Sequence, residues 1–285
     1  MARILIVGAG DVGGRLAVTL AAQGHQVWAL RRSLPERRQA LPGVHCLVAD
    51  VTQPDTLTVL PEQLDIVVTA LSPGESGVAA YRRVYVEGTR QLMQALSGQA
   101  LVHHFWVSST SVYGQSQGEW VDADTPAQPG TDTAHALLAA EAVAQSAGWP
   151  CSIVRFGGLY GPGRHWLLRW VSSGRPVQQH PPSWSNRIHV EDAAGFLAHL
   201  VMLALTGQPL RAIYIGVDDA PTPQHEVLVW LAAQLGCPPP TIANQPDASL
   251  GKRLSNRSLR DSGYVLRYPD FRTGYVQVLS AREGQ

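Results

Sequence analysis

Three glycines near the start of the chain have a spacing that does chemistry without any reactive side chain. Gly8, Gly10 and Gly13 stand in VGAGDVGG as G-x-G-x-x-G, directly after the apolar run RILIV and at the opening of an amphipathic stretch. In that context Gly8 permits a tight turn, Gly10 lets the backbone approach a pyrophosphate, and Gly13 lets a helix pack closely on a strand. The helix N-terminus then faces the anion. Asp11 and Val12 fill the loop and belong to the same candidate dinucleotide site. An acid at the end of the next apolar run, HQVWAL, would hold a ribose diol, but the residues there are Arg31 and Arg32. Guanidinium groups suit a 2′-phosphate, so the sequence favours NADP(H), with NAD(H) as the alternative. Asp50, closing VAD with Val51 after it, is placed to meet the adenine amino group. Ala70 and Leu71, in TALSPG, should run under the cofactor.

A second set is basic. Arg164 and His165 lie in GPGRH, after an apolar run whose end would sit at the ligand-binding edge of an open α/β sheet. With Arg155 and Arg187 they would form an anion-binding wall for a phosphate or carboxylate. The alternatives are that Arg155 is structural and that Arg187 faces solvent. The ten histidines form no H-x-H or H-E-x-x-H pattern. His103 and His104 are adjacent, so a strand points them to opposite faces. No metal is expected.

The elements that must position these residues follow from periodicity. RILIV (3–7), HQVWAL (25–30), VHCLVAD (44–50), DIVVTAL (65–71), LVHHFWVSS (101–109) and CSIVRFG (151–157) read as strands. Helical patterns follow the glycine loop and cover 78–97 and 132–147. The strands are continuous apolar runs, which argues for burial on both faces and hence for a parallel, doubly wound sheet. Beyond residue 157 the rhythm loosens through GLYGPGRHW and the Pro-, Ser- and Arg-rich stretch 174–188. Helices at 190–205, 223–235 and 256–262 and a strand at 211–217 are expected there. The predicted fold is a Rossmann-type α/β sheet with a smaller, partly interleaved C-terminal lobe. Residues 1–157, with sheet contributions from 187–217, form the dinucleotide-binding domain; 158–285 form the substrate-binding lobe.

Bulk composition agrees. A chain of 285 residues with 45% hydrophobic and 15% charged residues has material for a sizeable core. Net charge is zero, which gives no electrostatic case for nucleic acid or a membrane surface as partner. The most apolar later segment, FLAHLVMLAL, falls short of a membrane span. The three cysteines, Cys46, Cys151 and Cys237, are far apart and suit reduced thiols in the cytoplasm.

Four motifs, VEGT (86–89), FWVSSTSVYG (105–114), VRFGGLYGPG (154–163) and RIHVEDAA (187–194), occur in one order along the chain. In these, and from Arg3 to about Val217, the chain resembles the extended short-chain dehydrogenase/reductases, the NAD(P)-dependent epimerase/dehydratase group. The resemblance implies a seven-stranded Rossmann domain and a lobe for a small-molecule substrate, often a nucleotide sugar. It implies that Ser109 bonds the reacting oxygen, and Ser108 beside it joins the cofactor-binding set. It also implies a Tyr and a Lys four residues apart on the helix after strand five. Counting back from Glu141, those positions hold Thr133 and Leu137 here, and neither can pass a proton. The family's Asn before V-x-G-T is Tyr85, and its Asn in R-x-x-N-x-Y-G-P is Gly158.

Two readings follow. In one, chemistry is rebuilt from other groups, with Ser109, Ser111, Tyr113, Tyr81, Tyr85 and His135 as candidates. Ser109 and Tyr85 are then catalytic, and Ser111, Tyr113, Arg164, His165 and Arg187 bind substrate. Tyr85 has the rival role of filling the space left by the absent Tyr and Lys. In the other reading, the helix at 132–147 is purely structural and the protein is a non-catalytic dinucleotide sensor. An open, polar cleft around Ser109 favours the enzyme; a cleft plugged by Tyr85 or by 174–188 favours the sensor. A homodimer through the helices after strands four and five is among the assemblies the resemblance allows.

Overall fold

The computed structural model describes residues 1–33 and 41–283. The first half runs β1 (Arg3–Val7), α1 (Asp11–Ala22), β2 (Gln26–Arg31), β3 (Val44–Val48), β4 (Ile66–Thr69), α2 (Val78–Tyr81), α3 (Gly88–Ala95), β5 (His103–Ser109), β6 (Gln117–Val121), α4 (Asp132–Gln145) and β7 (Cys151–Phe156). The second half continues with β8 (Gly158–Tyr160), α5 (Trp166–Ser172), β9 (Trp184–Ser185), β10 (Arg187–His189), α6 (Val190–Leu205), β11 (Ile213–Gly216), β12 (Thr222–Pro223), α7 (Gln224–Gln234), β13 (Gly251–Leu254), α8 (Arg257–Asp261) and α9 (Phe271–Glu283). No helix among the described residues is long and apolar enough to cross a membrane.

Seven strands pair in the order β3-β2-β1-β4-β5-β7-β11, every pair parallel. This is the doubly wound sheet expected from the continuous apolar runs. Ile4, Leu5, Ile6, Val7, Ile66, Val67 and Val68 are fully buried, because helices cover both faces. On one face Ile4 and Ile6 pack with Leu16 and Leu20 of α1 and with Phe196, Leu197 and Leu200 of α6. On the other, Leu5, Val7 and Val67 meet Leu92 and Met93 of α3. Trp106, Ile153 and Ile215 pack on Leu137, Ala140 and Ala144 of α4. The strand order reverses between β1 and β4, which opens a crevice beyond their C-terminal ends.

Strand boundaries differ from the sequence reading by one or two residues. Larger departures have physical reasons. The helix expected over 78–97 is interrupted by a π-helical turn, Arg82–Glu87, between α2 and α3. Such turns recur at functional sites. The Gly/Pro loop after β7 begins as a strand: β8 pairs in parallel with β10. Stretch 174–188, read as irregular, supplies β9 and the start of β10. A second sheet, β12-β9-β13-β6, draws β6 out of the first half of the chain and binds it to β13. These strands are two to five residues long, too short to carry a readable alternation.

Buried histidines give the fold a pH dependence. His104 is fully buried with Nε2 3.0 Å from Thr69 Oγ1, and His103 Nε2 lies 2.9 Å from Ser152 Oγ. Burial pushes His103 down to about 4 and His104 down to about 3 from the ordinary 6.5. Between those values and 6.5 the unfolded chain binds protons that the folded chain refuses. Their contribution is therefore complete above about pH 6.5 and is lost as pH falls. Each costs about 1.4 kcal/mol per pH unit in that window. Urea midpoints at pH 7, 6, 5 and 4 should fall progressively below pH 6.5; a flat profile would reject the buried neutral assignment.

Candidate functional site

The glycine loop joins β1 to α1 at the crevice. Gly8 has φ +90°, and a β-carbon there would run into the Ala70 carbonyl oxygen on the loop after β4. At Gly13 it would stand 2.5 Å from the Gly8 oxygen and 3.2 Å from Ile6 Cγ2. Gly8 and Gly13 are thus closed by close approach. At Gly10 nothing lies within 4 Å of the β-carbon position. The loop leaves open space where a pyrophosphate would cross the helix N-terminus, and in this the residues fit a dinucleotide.

Two cavities extend from that point along the sheet edge. One, of 280 Å³, is lined by Arg31, Arg32, Asp50, Val51, Ala70 and Leu71, all expected there. Asp50 Oδ1 accepts from Thr52 N at 2.9 Å and Thr52 Oγ1 at 2.8 Å, which fixes the turn after β3. The Arg32 guanidinium lies over Gly74, where a β-carbon would come within 2.9 Å of Nη2. Arg83, from the π-helical turn, lines the same cavity and pairs with Glu75 at 3.1 Å. Sequence reading missed it. Its place on the predicted helix, two residues before Tyr85, was the available signal.

The other cavity, of 350 Å³, shares Gly8, Gly10, Ala70 and Leu71 with the first, so the two form one groove. Asp11, Val12, Gly13, Ser108, Ser109 and Tyr85 line it, and so do Leu137 and Arg164. The Ser109 hydroxyl accepts from Ser111 N at 3.2 Å. Ser111 is exposed and lines none of these cavities. The Ser108 hydroxyl is buried and donates to Glu141 Oε1 at 2.5 Å. Tyr85 packs edge-on against Tyr81 and Trp106, and its hydroxyl donates to the Leu71 carbonyl at 3.4 Å. Burial, then the neighbouring Tyr81, pushes its phenol up to about 12. Tyr85 lines this cavity without closing it. Thr133 bonds Thr131 at 3.1 Å, and His135 is exposed on α4.

Tyr113 does not reach this space. It is 1% exposed; its hydroxyl accepts from Arg155 Nη1 at 2.7 Å and donates to the Asp122 carbonyl at 3.3 Å. Arg155 is held by Glu141 at 3.0 Å (Nε) and 2.6 Å (Nη2). The expected substrate contact at Tyr113 is thus a core contact, because the Glu141–Arg155 pair recruits its hydroxyl. Arg155 leaves the anion wall for the same reason.

A third cavity, of 310 Å³, adjoins the second through Leu159 and Arg164. Arg187 is 4% exposed rather than solvent-facing, lies with its guanidinium 5.4 Å from the Phe271 ring centroid, and donates from Nη2 to Ser185 Oγ at 2.5 Å. Arg187 Nη1, His165 Nδ1 and Gln224 Nε2 are buried on its wall with no hydrogen-bond partner among the described residues. Gln224 and Tyr275 were not foreseen: Tyr275 sits on α9, a helix the sequence pattern did not reveal. Among the described residues no group of three His, Cys, Asp or Glu side chains is arranged to hold a metal ion.

Residues 8–202 match the family described as NAD(P)H-binding. A solved structure from Methylobacillus flagellatus, titled as a candidate NAD-dependent epimerase/dehydratase, is 40% identical, with a TM-score of 0.84 over 99% of both chains. Protein YeeZ of Escherichia coli K12 is 28% identical over 278 residues, 95% of this chain and 97% of its own. A Streptomyces 3-diazoavenalumate denitrifying reductase is 28% identical over 277 residues, 88% of this chain and 86% of its own.

Proposed function

The chain belongs to the NAD(P)H-binding family, in its epimerase/dehydratase group, and from that premise we propose an NADP(H)-dependent oxidoreductase or epimerase-like enzyme acting on a small anionic or sugar-like substrate. The observation that carries this reading is the open 350 Å³ cavity at Ser109, continuous with the dinucleotide groove. When bound, the nicotinamide supplies or takes up a hydride.

The chain's own residues do the rest. The Ser109 hydroxyl donates to the reacting oxygen. Tyr85, a phenol that stays protonated at neutral pH, holds the Leu71 loop and walls the cleft. Leu137 and Val107 give that cleft an apolar side that limits water. His165, Arg187 and Gln224 present unpaired polar atoms that would anchor the substrate's anionic end. The relative named as a reductase acts, by that name, on 3-diazoavenalumate. The three cysteines are free thiols, which suits the cytoplasmic location we infer.

NADP(H) over NAD(H) rests on the three arginines lining the 280 Å³ cavity, Arg31, Arg32 and Arg83. Converting Arg31 and Arg32 together to alanine should weaken NADPH binding by about 10- to 100-fold, with NADH nearly unchanged. Nicotinamide fluorescence titrations measure both. Equal losses for the two dinucleotides would reject a 2′-phosphate contact.

Ser109→Ala should lower turnover by about tenfold or more with dinucleotide affinity unchanged, once a carbonyl-substrate screen supplies an assay. Unchanged turnover would remove Ser109 from the mechanism. A second reading, a redox sensor without catalysis, is favoured by Leu137 lining the cavity at the position where the family resemblance implies a lysine. Dinucleotide binding without turnover across that screen would select it.

A further inference from the structure

Asp11 and Arg164 lie 153 residues apart in sequence and meet in space, with Arg164 Nε donating to Asp11 Oδ2 at 2.8 Å. Asp11 is the first residue of α1, at the end whose unpaired N–H groups face the groove. Arg164 comes from the turn after β8, where its N–H donates to the Gly161 carbonyl at 3.0 Å. The two side chains are 33% and 37% exposed. Among the described residues lining the 350 Å³ cavity they are the one carboxylate and the one cation.

Charge decides what this pair is for. A dinucleotide pyrophosphate brings two negative charges to the open space at Gly10, one residue from Asp11. Burial alone would raise the Asp11 carboxyl; the bonds from Arg15 and Arg164 outweigh it and hold the group below the ordinary carboxylate range. Asp11 therefore keeps its charge near neutral pH and opposes the phosphates. Arg15 is bonded to the other oxygen at 2.9 Å and does not line the cavity. Of the two arginines, Arg164 alone is positioned to answer the incoming charge.

We propose that Arg164 is a cofactor-binding residue that exchanges partners, leaving Asp11 for the pyrophosphate when the dinucleotide binds. The Asp11 carboxylate holds the guanidinium at the mouth of the groove in the meantime. Gly163, with φ +81° and nothing within 4 Å of its β-carbon position, leaves the turn room to follow. His165 is the next residue along and lines the third cavity, as Arg164 does. Filling the groove thus resets one wall of the neighbouring pocket, and cofactor binding precedes productive substrate binding. The inference rests on dinucleotide binding in this groove.

The test is a set of NADPH and NADH titrations by nicotinamide fluorescence on wild type, Asp11→Asn, Arg164→Met and the double variant. Arg164→Met should weaken both dinucleotides about tenfold or more. Asp11→Asn should tighten both several-fold, because it removes a competitor for Arg164 and a repelling charge together. In the double variant most of that gain should vanish, since the released guanidinium is gone. A plain brace between α1 and the turn gives the opposite sign: Asp11→Asn would weaken binding or leave it unchanged, and the proposal falls. Unchanged affinity in Arg164→Met also overturns it and returns Arg164 to the substrate. A wild-type chain that binds neither dinucleotide overturns this inference and the proposed function together.

Discussion

Gly10→Val should weaken dinucleotide binding about 100-fold or more, while the melting temperature moves by no more than about 2 °C. Position 10 has no neighbour within 4 Å of a β-carbon, so the first added carbon meets nothing beyond the adjoining chain. The side chain projects instead into the open space where, on the proposed reading, a pyrophosphate would meet the N-terminus of α1. A change of about 1 kcal/mol in a chain of this size shifts melting by roughly 2 °C. Gly13→Val is the contrast. Its β-carbon would stand 2.5 Å from the Gly8 oxygen, so folding and binding should both suffer. Calorimetric melting and a fluorescence titration on the two variants separate the cases. Undiminished binding in Gly10→Val would show that no phosphate lies over the loop.

Glu141→Gln should cost about 3–5 kcal/mol of stability, the usual price of stranding a buried charge. Glu141 and Arg155 have side chains 3% and 4% exposed and share two hydrogen bonds. The same carboxylate accepts from Ser108, and Arg155 reaches on to Tyr113. One acid on α4 thereby fixes β5, which ends at Ser109, β7 and the turn that follows Ser109. The amide keeps the shape but leaves the Arg155 guanidinium uncompensated where water cannot reach it. Adding Arg155→Met should restore part of the loss, because the stranded charge goes with it. Urea unfolding measures both; a loss under about 1 kcal/mol in the single variant would mean that solvent reaches the pair.

The large sheet was legible because a strand buried on both faces has no choice but to be apolar throughout. RILIV and DIVVTAL announce themselves for that reason. The glycine loop was legible because each of its three positions is set by backbone geometry, which only one residue type satisfies. Side chains that act by reaching across the fold were not. Nothing around Arg155 tells a reader that Glu141, fourteen residues earlier, will hold it and draw in Tyr113. Nor does GPGRH say that Arg164 will meet Asp11. Arg187, left between two environments by its neighbours in sequence, is settled by Phe271, Ser185 and the buried Asp218. The small sheet escaped because β9 and β12 are two residues each, and position in a sheet that short is fixed by its partners.

The third cavity depends on α9, where Gly274 packs so tightly on the Tyr160 hydroxyl that a β-carbon would collide with it and where Tyr275 forms part of the wall. The seven strands of the large sheet, by contrast, are all present once Gly216 has been added. At ribosomal speeds of about 5–20 residues per second, translation from residue 216 to residue 275 takes several seconds. During that interval a nascent chain holds every strand that frames the groove at Gly10 and lacks a wall of the third cavity. On the reading proposed above, the dinucleotide groove is thus framed before α9 arrives to complete the substrate pocket.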